Sequence, residues 1–350
     1  MNLAVNEPLD QVLAEYDINV NKITLETYKE KKGVWWVDTC QGKKILKKMP
    51  MSKDRLLFVL SAVEHLAANG VNLPEIIKNK DGALFVEYEG ATFVLSEAVS
   101  SKPPSYNIPS ELAMIMRGMA GFHTASRGFQ PPADAKIRSH LGVWPKTYLE
   151  QITDLESFRE QASQNKSNIF DATYLEECDY FINLAKETLI ALINSPYKKL
   201  VETADQKVNL CHQDFASGNL GLITKDSIYV FDTDGITYDL AARDVRKICN
   251  KVMKKRGGWD LNLFKDMLRA YNEVNPLTRE EYETLFIDLR FPHLFYGIAS
   301  KYYQSREKEW PENKFQQRLL TMVKTEKSKL AVLDASIPLN WLDPQIKPEG

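Results

Sequence analysis

Past residue 105 the hydrophobic pattern of this chain turns from mainly strand-like to mainly helical, and that change constrains the fold more than any other feature. From Lys22 to Glu97 apolar and polar residues alternate, the period of a strand half-buried in a sheet. Ile23 and Leu25 begin one strand. Val34-Trp35-Trp36-Val37 and Lys43–Met49 form a hairpin about Gln41-Gly42, and Ala83–Tyr88 and Thr92–Glu97 form another about Glu89-Gly90. A short helix, Leu9 to Tyr16, precedes the strands. A longer one, Ser52 to Ala68, interrupts them and stops at Asn69-Gly70. After Ser100-Ser101-Lys102-Pro103-Pro104-Ser105, which has the composition of a linker, the apolar spacing becomes three and four. Helices are predicted over 110–126, 148–164, 174–194, 241–254, 260–273, 279–290, 291–307 and 312–330, with one β-rich island, Leu210 to Phe231, among them. The expected architecture is α+β and bilobal. Residues 1–99 form a small antiparallel β lobe with one helix, residues 100–335 a larger, mainly helical lobe carrying the β-island, and residues 336–350 an irregular tail with Pro338, Pro344 and Pro348.

Composition narrows the function classes. The chain has 350 residues, enough for about two domains. Its net charge is −2, which argues against nucleic-acid binding. Only 16 residues are Gly, fewer than the roughly 7% of an average protein, so several Gly-rich phosphate loops are not expected. Cys40, Cys178, Cys211 and Cys249 are scattered, with no CxxC pair, and read as reduced core residues rather than zinc ligands. No apolar run reaches the roughly 18 residues of a membrane span, and Met1 to Asp10 lacks the pattern of a signal peptide. A reducing cytoplasmic setting is expected.

The chemistry is concentrated in the β-island. His212-Gln213-Asp214-Phe215-Ala216-Ser217-Gly218-Asn219 fits H-x-D-x-x-x-x-N, the loop of phosphate-transferring enzymes. In that loop the Asp orients the proton of the attacking hydroxyl and the Asn holds Mg²⁺. Asp214 and Asn219 are five residues apart, as the loop requires. After Asn219 come Leu220-Gly221-Leu222-Ile223, a turn at Lys225-Asp226, and Ile228-Tyr229-Val230-Phe231, ending in Asp232. A hairpin of that length returns Asp232 beside Asn219, as a second metal ligand. Asp234 is either a further ligand or an acceptor behind them. The small lobe should add a phosphate-binding lysine. Lys47, in Ile45-Leu46-Lys47-Lys48, is preferred to Lys44 and Lys48, although a one-residue register shift would exchange them. Glu64, on the stripe of Leu57, Leu60 and Ala67, is expected to pair with Lys47. Asp239 suits a helix N-cap, and Asp244 suits a buttress that accepts backbone N–H bonds from the catalytic loop. His123 and His293 read as core histidines, and the run Lys251 to Arg256 as a solvated helix face.

These residues resemble the aminoglycoside phosphotransferase/choline kinase group, and among these the CotS family of spore-coat proteins. The closer likeness lies in Leu210-Cys211-His212-Gln213-Asp214, Phe122-His123-Thr124-Ala125-Ser126-Arg127-Gly128-Phe129, Leu141-Gly142-Val143-Trp144-Pro145, Ile236-Thr237-Tyr238-Asp239-Leu240 with Arg243-Asp244, and Phe286-Ile287-Asp288. The resemblance spans roughly residues 20–330. It implies a protein-kinase-like fold with ATP and Mg²⁺ as cofactors, the adenine lying against Glu97-Ala98-Val99. It also implies a small-molecule hydroxyl acceptor, no nucleic acid or membrane partner, and other spore-coat proteins as neighbours. The implied location is the mother-cell cytoplasm and then the spore coat.

The sequence departs from the kinase pattern twice. Gln213 replaces the Arg of H-R-D, and the G-x-G-x-x-G loop is missing: Tyr28-Lys29-Glu30-Lys31-Lys32-Gly33 holds one Gly, with Lys31 or Lys32 as alternative point charges. Two readings result, an active ATP-dependent phosphotransferase and an inactive kinase-like scaffold or binding protein of the coat.

Overall fold

A computed structural model describes residues 7–29, 31–164, 168–203, 209–223, 227–307, 309–337 and 339–342. Their contacts group them into two compact units. The first comprises the residues up to Pro104 with Gly128–Arg138 and Gly218–Thr237. The second comprises Ser105–Arg127, Ser139–Ser217 and the residues from Tyr238 onward. The turn predicted at Lys225-Asp226 and the prolines of the tail lie outside the described residues.

The first unit opens with α1 (Leu9–Ala14) and an antiparallel sheet of β1 (Val20–Lys29), β2 (Lys32–Thr39), β3 (Gly42–Met49), β4 (Val86–Tyr88) and β5 (Ala91–Glu97), in the order β1-β2-β3-β5-β4. Helix α2 (Lys53–Ala68) enters between β3 and β4. The turn before β5 places both Glu89 (φ 50°) and Gly90 (φ 78°) in the left-handed region, as a two-residue hairpin loop demands. Because side chains alternate along a strand, Leu46 faces one side with Trp35, Phe93, Leu95 and the α1 residues Val12 and Leu13. Met49 and Val94 face the other, with Leu56 and Leu60 of α2. The predicted strand 83–88 is shorter than expected, since Leu84 and Phe85 pack on the α2 side before β4 begins. The α2 stripe also differs from the expectation. Leu56, Val59, Leu60, Val63 and Leu66 are buried, whereas Ala67 and Glu64 are exposed.

The β-island consists of β6 (Leu210–Cys211), β7 (Leu220–Leu222) and β8 (Ile228–Val230), followed by β9 (Thr237–Tyr238). The β7–β8 hairpin pairs Leu220 with Val230 and Leu222 with Ile228. It is fastened within the first unit: the Leu222 N–H donates to the Lys102 carbonyl (2.8 Å) and the Val230 N–H to the Asn72 carbonyl (2.9 Å). Gly221 is required there. A Cβ at that position would lie 1.8 Å from Ser101 Oγ and 2.8 Å from the Phe231 ring.

The second unit contains α3 (Pro109–Ala125), α4 (Trp144–Gln164), α5 (Ile169–Asn194), α6 (Tyr197–Glu202), α7 (Ala242–Arg256), α8 (Leu261–Asn272), α9 (Arg279–Arg290), α10 (His293–Tyr303), α11 (Glu312–Lys327) and α12 (Lys329–Asp334). Local signals set the ends. Asn168 caps α5, Thr278 and Glu281 form a capping box on α9, and Gly257 at φ 76° ends α7. The core of α4, α5, α10 and α11 is aromatic, with Phe170, Tyr174, Phe181 and Phe295 in contact. Cys178, Cys211 and Cys249 are buried thiols, but Cys40 is exposed.

Candidate functional site

A cavity of about 390 Å³ lies inside the first unit. Its apolar lining includes Ile45 and Met49 of β3 and Val59 and Val63 of α2, and its charged lining residues are Lys47, Glu97, Asp232 and Asp234. Residues 45, 47 and 49 reach it together because they share one face of β3. The register pairs Lys47 with Val94 on β5 and with Val34 on β2. The neighbouring lysines are engaged elsewhere, Lys44 with Glu97 (2.5 Å) and Lys48 with Glu7 (2.6 Å). Among the described residues Lys47 forms no ion pair.

Glu64 does not meet Lys47. It sits at the edge of the buried stripe and pairs with Lys78 at 2.8 Å, with 44% of its side chain exposed. The expected Lys47–Glu64 pair came from phasing the helix one position late, and a carboxylate facing water carries no desolvation cost that would demand Lys47. Glu97 and Val99 both line the cavity, but the Glu97 carboxylate is taken by Lys44. The backbone N–H groups of Glu97 and Ala98 bond to the Glu75 and Lys43 carbonyls, whereas the Val99 N–H has no bond among the described residues.

The hairpin brings Asn219 and Asp232 close along the chain path, since the Phe231 N–H donates to the Asn219 carbonyl at 2.9 Å. Asp232 adopts φ 54°, ψ 56°, a left-handed conformation that a non-Gly residue holds only when its surroundings impose it. The Lys32 ammonium lies 3.0 Å from Asp234 and 3.7 Å from Asp232. Burial opposes the charge on Lys32, but the Asp234 and Asp232 carboxylates outweigh it and raise its pKa. Two carboxylates thus converge on one cation, and their hard oxygen donors fit Mg²⁺. Lys32 stands at the start of β2, where it pairs with Lys29 at the end of β1. Gly33 has a packing reason rather than a phosphate-binding one: a Cβ there would lie 2.2 Å from the Trp35 ring.

Asp214 belongs to the second unit, in a loop that Asp244 fastens. The Asp244 carboxylate accepts the N–H groups of His212 (2.7 Å) and Gln213 (2.9 Å) and faces His123 Nε2 at 3.3 Å, while His123 Nδ1 meets the Tyr271 hydroxyl at 2.7 Å. Burial would raise the Asp244 pKa, but the hydrogen bond with His123 and the nearby Lys247 charge help to hold it below the usual carboxylate value. His123, Cys211 and Asp244 are close enough to suggest a metal. Asp244 is, however, committed to N–H donors, which makes the cluster a hydrogen-bonded core. Gln213 is left-handed at φ 72°, and both its carbonyl and its side-chain oxygen accept from Lys247 Nζ at 2.7 Å. Burial, then the Arg246 charge, pushes Lys247 down to about 8. Asp214 is exposed and pairs with Lys251 at 2.7 Å; in the run from Lys251, Lys255 and Arg256 are exposed as expected, whereas Lys251 and Lys254 are half-buried. Lys32, Lys247 and Lys251 were not assigned these roles from the sequence. The spacing of Asp244, Lys247 and Lys251 on one helix face was the available signal.

Asp239 is not an N-cap. It accepts the Trp144 indole N–H at 2.8 Å and faces Arg243 at 3.3 Å, with the Arg243 guanidinium over the Trp144 ring. Asp288, fully buried, faces Tyr148, Arg246 (3.1 Å) and His293 (3.0 Å). Burial opposes its charge, and Arg246 and Arg243 nonetheless hold its pKa well below the ordinary value. Residues from all five phrases, His123, Trp144, His212, Asp239 with Arg243 and Asp244, and Asp288, therefore lie in buried polar networks within the second unit.

This combination of a small antiparallel sheet unit, a helical unit and an H-x-D loop defines a kinase-like phosphotransferase fold. The match to solved structures agrees. An aminoglycoside phosphotransferase from Alicyclobacillus acidocaldarius superposes with a TM-score of 0.78 at 18% identity, covering 94% of this chain and 96% of that one. The amicoumacin kinase hAmiN, in complex with AMP-PNP, Ca²⁺ and Ami, gives 0.62 at 13% identity, covering 94% and 92%. At the level of sequence, residues 12–336 match the family "Spore coat putative kinase YutH", and the chain belongs to this spore-coat kinase-like family. It is 33% identical over 326 residues to spore coat protein S of Bacillus subtilis, covering 93% of both chains. Among the described residues no helix is long and apolar enough to cross a membrane.

Proposed function

We propose that the protein is an ATP-dependent phosphotransferase of the spore coat that phosphorylates a hydroxyl of a small molecule. The observation that carries this reading is one cavity lined by both Lys47 and the carboxylate pair Asp232 and Asp234, with Asp232 held in a left-handed backbone conformation. In this reading the adenine lies along Val99 and Lys47 contacts the α- and β-phosphates. Asn219, Asp232 and Asp234 hold Mg²⁺, which when bound neutralises phosphate charge. Lys32 moves from the carboxylates to the phosphates and serves in place of a glycine-rich loop. Asp214 accepts the acceptor's hydroxyl proton as the oxygen bonds to the γ-phosphorus. The bond from that phosphorus to the β–γ bridging oxygen breaks, and ADP leaves with the electron pair.

The test is phosphate transfer or slow ATP hydrolysis, compared with Asp214→Ala. Equal rates in the two proteins would refute the assignment. The scaffold reading draws on two observations, Glu64 paired with Lys78 and Gly33 required by Trp35. It predicts that Asp214→Ala supports normal coat assembly.

A further inference from the structure

The second unit holds a cavity of about 280 Å³ beside Asp214, and its lining is basic. Lys247, Lys251 and Lys254 project from one face of α7, at a spacing of four and then three residues. An adjacent cavity of about 340 Å³ shares Lys254, His293 and Leu294 and adds Lys301 and Arg318. Asp214 is the one carboxylate among the described residues that line either cavity. Lys247 is committed to Gln213, Lys251 to Asp214 and Arg246 to Asp288. Lys254 forms no ion pair or hydrogen bond through its ammonium among the described residues. Burial and the charges of Lys251, Arg318 and Lys301 lower its pKa.

A second observation is independent of charge. Asn250 lines the same cavity at 4% exposure, and among the described residues neither its Oδ1 nor its Nδ2 has a hydrogen-bond partner. Gln213 Nε2, also at this cavity, is likewise unpartnered. Buried amides without partners are costly and rare unless they serve a ligand. Here they add two NH₂ groups, with two N–H donors each, and one acceptor to a lysine-rich wall, a set that matches an oxyanion attached to a hydroxylated skeleton.

From this we infer that the cavity beside Asp214 receives an anionic hydroxyl compound, bearing a carboxylate or a phosphate, as the phosphate acceptor. The inference rests on the phosphotransfer reading for the fate of the hydroxyl. The anion would sit on Lys254 and the amides, and the hydroxyl would face Asp214. The new O–P bond forms to the γ-phosphorus of ATP, the proton passes to Asp214, and ADP departs. A polycationic acceptor would instead meet three lysines and lose affinity.

The experiment compares six-carbon probes that differ in charge: D-glucose 6-phosphate, D-gluconate, D-glucose and D-glucosamine. Binding is measured by calorimetry with and without Mg²⁺ and AMP-PNP, and ADP formation is followed in parallel with Mg²⁺ and ATP. The proteins are the wild type, Lys254→Glu, and Lys254→Arg as a charge-preserving fold control. At least one anionic probe is expected to bind about tenfold or more tightly than glucosamine and to speed ADP formation, the step expected of one charge-assisted contact. Lys254→Glu should abolish that preference and Lys254→Arg should retain it. Whichever anion binds tells phosphate from carboxylate. If Mg²⁺–ATP binds and is hydrolysed but glucosamine equals or exceeds both anions, the inference fails and the phosphotransfer reading stands. If an anion binds through Lys254 while ATP is neither bound nor consumed, the transfer reading fails and the acceptor role falls with it.

Discussion

Gly221 offers a prediction whose size follows directly from distances. Replacing it by Ala places a Cβ 1.8 Å from Ser101 Oγ, 2.7 Å from Ser101 Cβ and 2.8 Å from Phe231 Cε2. The backbone has little room to retreat, since the Leu222 N–H is bonded to Lys102 and the Phe231 N–H to Asn219. Overpacking of this kind costs about 1–3 kcal/mol, and a contact with a bonded strand belongs at the upper end, about 2–3 kcal/mol. Ser101→Gly removes the two nearer obstacles and leaves only the ring edge. The double variant Gly221→Ala, Ser101→Gly should therefore recover most of the loss. Urea unfolding of the two single variants and the double variant measures this coupling. Asp232 follows Phe231, so a displaced ring should also weaken Mg²⁺-dependent nucleotide binding in Gly221→Ala. A neutral Gly221→Ala, or one that Ser101→Gly leaves unrescued, would refute the claim that this contact seats the hairpin.

Three further outcomes are expected. Asp244→Ala strands the His212 and Gln213 N–H groups and His123, so it should destabilise by at least about 3 kcal/mol in urea unfolding, the scale of breaking a buried pair; a loss under about 1 kcal/mol, the size of one ordinary hydrogen bond, contradicts the buttress. Burial, aided by Arg246, pushes His293 down to about 3. The unfolded chain therefore takes up a proton that the folded chain refuses as pH falls below about 6.5, and stability should drop by at most roughly 1.4 kcal/mol per pH unit from there toward pH 3. His293→Gln should flatten that slope between pH 6.5 and 5, and an unchanged slope would exclude His293 as its source. Lys32→Ala removes the ammonium that faces Asp232 and Asp234, so Mn²⁺ should bind the nucleotide-free protein more tightly in calorimetry; equal or weaker binding would show that the two carboxylates do not form a cation site.

The strands and most helices could be read from the sequence because their period is local. Residues 43–49 alternate and pair as expected, and α9 begins at its own capping box. Lys47 was distinguishable from Lys44 and Lys48 only by strand phase, and the sheet register places it at the cavity. Glu64 shows the limit of that approach. Helix phase was judged from Leu57, Leu60 and Ala67, but Leu56, Val59, Leu60, Val63 and Leu66 are buried, with Leu56 and Leu60 against Met49 and Val94 of the sheet, and the error carried Glu64 onto the wrong face. Partners distant in sequence were not legible. Lys32 finds Asp234 some 202 positions away, and Asp288 finds Tyr148 at a separation of 140. The partial cover over Lys251 and Lys254 was not legible, because nothing local shows that Asp214 and a cavity lie against them, while Lys255 and Arg256 are exposed as read.

The central claim is that the cavity of Lys47, Asp232 and Asp234 is a Mg²⁺–nucleotide site, and its most direct test is the unfolding transition measured with and without Mg²⁺–ATP. A ligand at about 100 times its dissociation constant adds about 2.7 kcal/mol of stability. Wild-type protein should show that gain only when Mg²⁺ and ATP are both present, and Asp232→Ala should lose it. An unchanged transition at millimolar Mg²⁺–ATP, or an equal gain in Asp232→Ala, would contradict the account.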